Sequence, residues 1–320
     1  MEISVNYFLK SKNLIEFAKD IAKKGLKQAY LFSSNDKFKN FAFCKMLGLV
    51  LSCKNQNMCL SCSSCQKILD DNCLDFIVYP KEKSIVVEDV KEIIESSYIL
   101  PLENEYKIYV LNNFEEANVA SQNKFLKTLE EPPKNVIFLL NTTNSDMILN
   151  TIKSRCEKIV LPKFDEDEFK DLLKQNNIDF ISSIFENCDY ELGNYILLLE
   201  SNFCEDFDFC VEMLKNMKTS SDILKYSLKI LKMKNHENFF KALLSILTDC
   251  EIIKIDKNRI KNKSRKEDIN LLSQDFSQKA INEIIKNLIK ANKELKFNTS
   301  LNLVVDCLLI DILEEKHKWN

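Results

Sequence analysis

The sequence predicts an α/β domain built on a five-stranded parallel sheet, followed by a second half that is all helical. Three observations carry that prediction. Short apolar runs fall at 29–32, 76–79, 108–111, 136–140 and 158–161. They are continuous and do not alternate with polar residues, which suits strands covered on both faces, as in a parallel sheet. Helical patterns separate them, and strands alternating with helices imply right-handed crossovers.

In chain order, AYLF at 29–32 is the first strand. Residues 37–52 then place Phe38, Phe41, Ala42, Lys45, Met46 and Leu49 at helical spacing. FIVY at 76–79 is the second strand, and 88–98 (EDVKEIIESSY) reads as a helix. IYVL at 108–111 is the third strand. Residues 117–130 are unbroken helix formers until Pro132-Pro133 stops them. VIFLL at 136–140 and KIVL at 158–161 complete the sheet. After Pro162 the strand signal fades: 163–202 reads as two or three short amphipathic helices punctuated by Gly193, and 222–233 and 276–295 are long helical patterns. Domain boundaries are therefore expected near 163 and 204, giving 1–163, 164–204 and 205–320. A length of 320 residues accommodates two or three such domains.

Composition excludes several function classes. The chain holds three glycines, Gly25, Gly48 and Gly193, where average usage gives roughly twenty-two. None stands in a G-x-x-x-x-G-K-[ST] phosphate loop or a G-x-G-x-x-G dinucleotide turn. A net charge of −3 gives no whole-chain attraction to nucleic acid or to an anionic membrane. The longest apolar stretch, 41–53, is interrupted by Lys45 and falls short of the roughly 20 residues a membrane helix needs. The N-terminus lacks a basic segment leading into an apolar one, so no signal peptide and a cytoplasmic location are expected.

In a reducing compartment twelve cysteines are not a disulfide framework, and a tight cluster among them reads as a metal site. Cys53, Cys59, Cys62 and Cys65 form C-x5-C-x2-C-x2-C. Four thiolates meet the tetrahedral preference of Zn²⁺ and leave no open position for a water nucleophile, so the expected zinc is structural. A set of buried free thiols is the alternative. Cys44 and Cys73 lie close enough to compete as ligands but do not fit the compact spacing, and the other six cysteines are expected in cores. His236 and His317 are far apart, lack acidic or cysteine partners, and read as ordinary helix-surface positions. The stretch 254–268 carries seven basic and three acidic residues and no aromatics. It reads as a solvated connection between helices, with a phosphate-contacting patch as the alternative.

LKTLEEPP at 126–133, VIFLLNTT at 136–143 and TIKSRC at 151–156 together resemble the clamp-loader branch of the AAA+ family. The four-cysteine module, IVVEDVKEI at 85–93 and KIYVLNN at 107–113 fall where that family has counterparts. The resemblance implies an AAA+ (RecA-like) α/β domain at 1–163 with an inserted zinc module at 53–65. It further implies a helical lid at 164–204 and a helical collar, the oligomerisation domain, at 205–320. It also marks departures from an active ATPase. The loop SSNDKFKNF at 33–41 lacks glycine, with Asn40 and Phe41 at the Lys and Ser/Thr positions and Ser34 and Lys39 beside them. Phe41 has no hydroxyl for Mg²⁺, and side-chained residues present backbone N–H groups to phosphates poorly. Asn112 and Asn113 stand where carboxylates would hold the metal. No bound ATP is therefore expected, and Thr142, at the place of a polar sensor, is expected to be vestigial.

Arg155, in Ser154-Arg155-Cys156, is by the same resemblance an arginine finger acting in trans, a role suited to a planar, permanently charged group. Glu130 and Glu131 sit where the helix dipole disfavours anions, which hints at an interface or polar-network role, with simple exposure at a frayed end as the alternative. The implied function is that of a non-hydrolysing clamp-loader subunit. Its partners would be the ATPase (gamma/tau) subunits, the clamp-opening delta subunit and, through the assembly, the sliding clamp and primer–template DNA, with no membrane. Two rival readings are an active AAA+ ATPase using an atypical loop with Lys39, and a zinc-dependent nucleic-acid-binding module using 53–65 and 254–268.

Overall fold

The computed structural model describes residues 5–55, 57–81, 84–295 and 300–317. Residues 1–4 of the N-terminal reading, Gln56 between the cysteines, the side chain of His317 and the final residues 318–320 of the expected C-terminal domain lie outside them. Chain contacts divide the molecule into two compact units, residues 1–179 with 191–193, and residues 180–190 with 194–320.

The first unit begins with α1 (Lys12–Lys23), whose N-cap Ser11 accepts from Leu14 N. There follow β1 (Ala29–Ser33), α2 (Lys37–Ser52), α3 (Ser63–Leu69), β2 (Phe76–Tyr79) and α4 (Val87–Ser97). Next come β3 (Lys107–Leu111), α5 (Val119–Glu130), β4 (Val136–Thr142), α6 (Asn150–Lys153), β5 (Glu157–Val160) and α7 (Glu166–Gln175). The five strands are parallel in the order β2-β3-β4-β1-β5. β3 and β4 are buried throughout and β1 nearly so, which is why their sequences are apolar runs without alternation. One face packs Tyr109 and Phe138 against Phe125 of α5, with the Phe125 and Phe138 rings 5.0 Å apart and edge-on. On the other face Phe32 of β1 meets Phe43 of α2 at 5.1 Å.

The run at 158–161 departs from the expectation of strands covered on both faces. β5 lies at the edge of the sheet and is mostly exposed, Val160 to 77%. Its β-branched residues satisfy strand geometry without serving the core.

The second unit is helical: α8 (Ser182–Phe185), α9 (Leu192–Glu200, whose first two residues belong to the first unit), α10 (Phe203–Asn216), α11 (Ser220–Leu231), α12 (His236–Ile252), α13 (Lys266–Asp275), α14 (Gln278–Leu295) and α15 (Leu301–His317). Phe207, Phe239, Leu243, Ile281, Ile284 and Leu309 are among its buried residues. No helix among the described residues is long and apolar enough to cross a membrane.

Candidate functional site

β1 and β4 lie side by side with their ends, Ser33 and Thr142, paired, and in an open parallel sheet the crevice at such strand ends is where ligands bind. The segment 33–41 fills this place with its own side chains. Asp36 caps α2: its Oδ1 accepts from Phe38 N at 2.9 Å and from Lys39 N at 3.1 Å. Those N–H groups at a helix start are the ones a phosphate would use. Oδ2 of the same carboxylate accepts from Gly193 N at 2.7 Å. A Cβ at Gly193 would lie 2.3 Å from Asp36 Oδ1 and 2.7 Å from the Phe38 ring, so this close approach requires glycine.

Lys39 is fully buried, forms an ion pair with the buried Glu191, and donates to Pro162 O at 3.1 Å. Burial raises the pKa of Asp36, against the donors from Gly193 and Lys39, the charge of Lys39 and the donor from Phe38. Burial likewise raises that of Glu191, against the charge and hydrogen bond of Lys39. Asn40 is buried; its amide donates to Thr142 O at 2.9 Å and its oxygen accepts from Ser34 Oγ at 2.7 Å. Phe41 follows on α2, half-buried. Asp36, Glu191 and Gly193 were not expected as site residues from sequence, Gly193 being read only as a break between helices. An Asp just before a helical pattern is a legible cap, but partners more than 150 residues away carry no sequence signal.

At the tip of β3, Asn112 N donates to Tyr79 O at 2.7 Å, while its buried Oδ1 has no partner among the described residues. Asn113 adopts a left-handed conformation, φ 49°, which Asn tolerates, and its N–H donates to Asn141 Oδ1 at 3.0 Å. Thr142 is buried, and its hydroxyl accepts from Asn144 N.

Arg155 lies just beyond α6. Its Nη2 donates to Glu130 Oε1 at 2.6 Å, and its Nη1 donates to Thr151 O at 2.8 Å and to Ser154 Oγ at 3.3 Å. Both members of the pair meet solvent, with side-chain exposures of 32% for Arg155 and 50% for Glu130. Cys156 is buried, which pushes its thiol up to about 12. The structure thus joins two motifs read separately from sequence, while Glu131 stays exposed.

Cys53, Cys59, Cys62 and Cys65 converge, their sulfurs all within 4.8 Å of one another. Cys53 caps the end of α2, Cys62 the start of α3, and Cys65 lies on α3. Tetrahedral zinc with legs of about 2.3 Å asks for sulfurs about 3.8 Å apart, so the set fits a metal ion with little movement. Backbone donors prepare the sulfurs as thiolates: Cys59 N points at Cys53 Sγ at 3.4 Å and Cys62 N at Cys59 Sγ at 3.3 Å. Hydrogen bonds from Ser61, with the Cys62 N–H, lower the Cys59 thiol to about 6. At Cys53 burial works upward, but donors from Cys59, Asn57 and Asn55 outweigh it and the shift is down. Burial raises Cys65. Cys44 and Cys73 lie outside the cluster; the former is buried beside Asn141, the latter beside Asn104.

Three expectations are corrected. Of the six remaining cysteines, Cys156, Cys188, Cys210 and Cys250 are buried, but Cys307 is exposed on α15 and Cys204 only half-buried. The stretch 254–268 is not simply a solvated connection: Ile260 and Asn262 are buried and α13 starts inside it. Two of its seven cations pair with the second unit's own acids, Lys261 with Asp189 at 2.7 Å and Arg265 with Asp208 at 2.6 Å. His236 begins α12 half-buried, its Nε2 buried without a partner among the described residues.

A family model described as "DNA polymerase III, delta subunit" matches residues 9–165. The chain is 25% identical over 292 residues to the DNA polymerase III subunit gamma of Buchnera aphidicola subsp. Schizaphis graminum, covering 80% of this chain and 79% of that one. It is 34% identical over 149 residues to the subunit gamma of Buchnera aphidicola subsp. Acyrthosiphon pisum, covering 46% and 41%. It is 30% identical over 149 residues to the DNA polymerase III subunit tau of Escherichia coli, covering 46% and 23%. The matches thus span less than half the length of the latter two relatives. Among solved structures, a DNA polymerase III gamma-subunit-related protein of Thermotoga maritima aligns with a TM-score of 0.43 at 19% identity, over 95% of this chain and 99% of that one.

Proposed function

We propose that this chain is a non-hydrolysing subunit of the delta-prime type in the DNA polymerase III clamp loader, a reading supported by its similarity to the delta-subunit family model over residues 9–165 and to gamma subunits. In this reading it is a rigid wall against which gamma/tau ATPase subunits and the delta subunit work to open the sliding clamp and place it on primed DNA. Residues 1–163 form its AAA+ domain, 164–204 its lid and 205–320 its collar. Zn²⁺ bound by Cys53, Cys59, Cys62 and Cys65 is structural: it ties the end of α2 to α3. Arg155 acts in trans on the γ-phosphate of an adjacent subunit.

The observation that carries the reading is the carboxylate of Asp36 on the first N–H groups of α2, with Glu191 neutralising Lys39 beside it. An anion already occupies the place where phosphates bind, and Lys39 is already paired. A nucleotide would have to displace two buried carboxylates from satisfied hydrogen bonds, and stranding a buried polar group costs about 1–3 kcal/mol each time. The neutral Asn112 and Asn113 offer a divalent cation no charge.

Nucleotide titration of the purified chain, with reconstitution alongside gamma/tau and delta subunits, tests the proposal. The expected result is no micromolar retention of Mg·ATP and no turnover by the chain alone, together with clamp loading by the assembly. Micromolar binding with steady hydrolysis would instead establish the active-ATPase reading.

A further inference from the structure

Glu130 is costly where it stands. It closes α5 at the end where the helix dipole disfavours an anion, and its partner Arg155 is exposed enough that solvent screens most of what the pair contributes. Fold stability therefore does not account for it. The geometry around the arginine does offer an account. Both terminal nitrogens are engaged by the chain itself, by Glu130, by the Thr151 carbonyl and by Ser154, and the guanidinium is folded back over the end of α6. Nε–H has no partner among the described residues. Paired in this way, the guanidinium has its charge cancelled at close range, so a second anion meets weak attraction from the arginine and repulsion from the carboxylate.

We propose that Glu130 is a positioning residue that holds Arg155 at rest, and that the terminal phosphate of a nucleoside triphosphate bound by a neighbouring subunit displaces it. The pair is suited to opening because it is solvent-exposed: water rehydrates the released carboxylate, so exchanging one anion for another strands no buried charge. The inference rests on the reading of Arg155 as acting in trans. It adds that the arginine is withheld until a phosphate competes for it, and that the last residue of the α5 helix does the withholding.

The test uses the full chain reconstituted with the ATPase subunits, comparing the parent with Glu130→Gln, Arg155→Ala and the double variant. Glu130→Gln keeps the shape and removes the charge. The KM of the assembly for ATP is expected to fall about two- to fivefold, the range that a weak exposed ion pair converts to. kcat stays unchanged, because Glu130 has already let go in the reacting state. Arg155→Ala lowers kcat, and in that background Glu130→Gln has no effect. A Glu130→Gln KM that is unchanged or raised, with Arg155→Ala still slow, overturns the inference and leaves the trans role of Arg155 intact. Turnover unchanged by Arg155→Ala overturns both.

Discussion

At Asp36 one carboxylate caps a helix, tethers Gly193 and fills an anion site, and its burial has a measurable signature. Its pKa in the folded chain is raised, so the proton is bound more tightly than in the unfolded chain. Such a group contributes stability below the ordinary carboxylate pKa, and that contribution is lost as pH rises through the raised folded value. Asn mimics the protonated form and still caps a helix. The stability deficit of Asp36→Asn, from denaturant melts across pH 4 to 8, is therefore expected to shrink as pH rises. A constant deficit would mean that the carboxylate does not titrate with folding. Arg155→Ala is expected to leave thermal stability almost untouched, since exposed ion pairs contribute about 0–1 kcal/mol. It should nonetheless slow ATP turnover of a reconstituted assembly by tenfold or more, given that trans arginines contribute about 10³ to 10⁵ in well-studied nucleotide hydrolases. The cap at Asp36 was legible as an Asp ahead of a helical pattern; its tertiary bond was not, because nothing local to residue 36 points to residue 193.

Between elements, α2 and β2 approach closely at Gly48. A Cβ at Gly48 would lie 2.3 Å from the Phe76 ring, and that ring is itself buried. Gly48→Ala is expected to destabilise the chain by about 1–3 kcal/mol through overpacking, although it improves helix propensity. Urea melts decide which effect wins, and a stabilised variant would show that the ring yields freely. In the cysteine module, metal analysis should find about one zinc per chain, and Cys62→Ser should drop that occupancy and lower the melting temperature. Stoichiometry unchanged by Cys62→Ser would refute the ligand set. The convergence of the four sulfurs was legible in sequence, since C-x2-C spacing brings successive cysteines together. Strands of continuous apolar residues were equally readable, because burial on both faces writes itself into composition. β5 and the stretch 254–268 were misjudged for a shared reason: a run of like residues gives propensity, whereas edge position and ion-pair partners belong to the tertiary structure.

For the molecule as a whole, the charge balance of −3 and the acidic partners of Lys261 and Arg265 lead to one further expectation. The isolated chain should show little affinity for duplex or primed DNA at about 0.15 M salt, and little dependence on salt between 50 and 200 mM. A steep salt slope, relieved by reversing Lys261 and Lys263, would support the nucleic-acid-binding alternative. The filled crevice has a longer consequence. On the proposed reading, restoring hydrolysis would require emptying Asp36 from the start of α2, releasing Lys39 from Glu191, admitting glycines between 33 and 41 and returning carboxylates at 112 and 113. No one of these steps alone would supply the whole set. On that reading the way back to an engine is barred step by step.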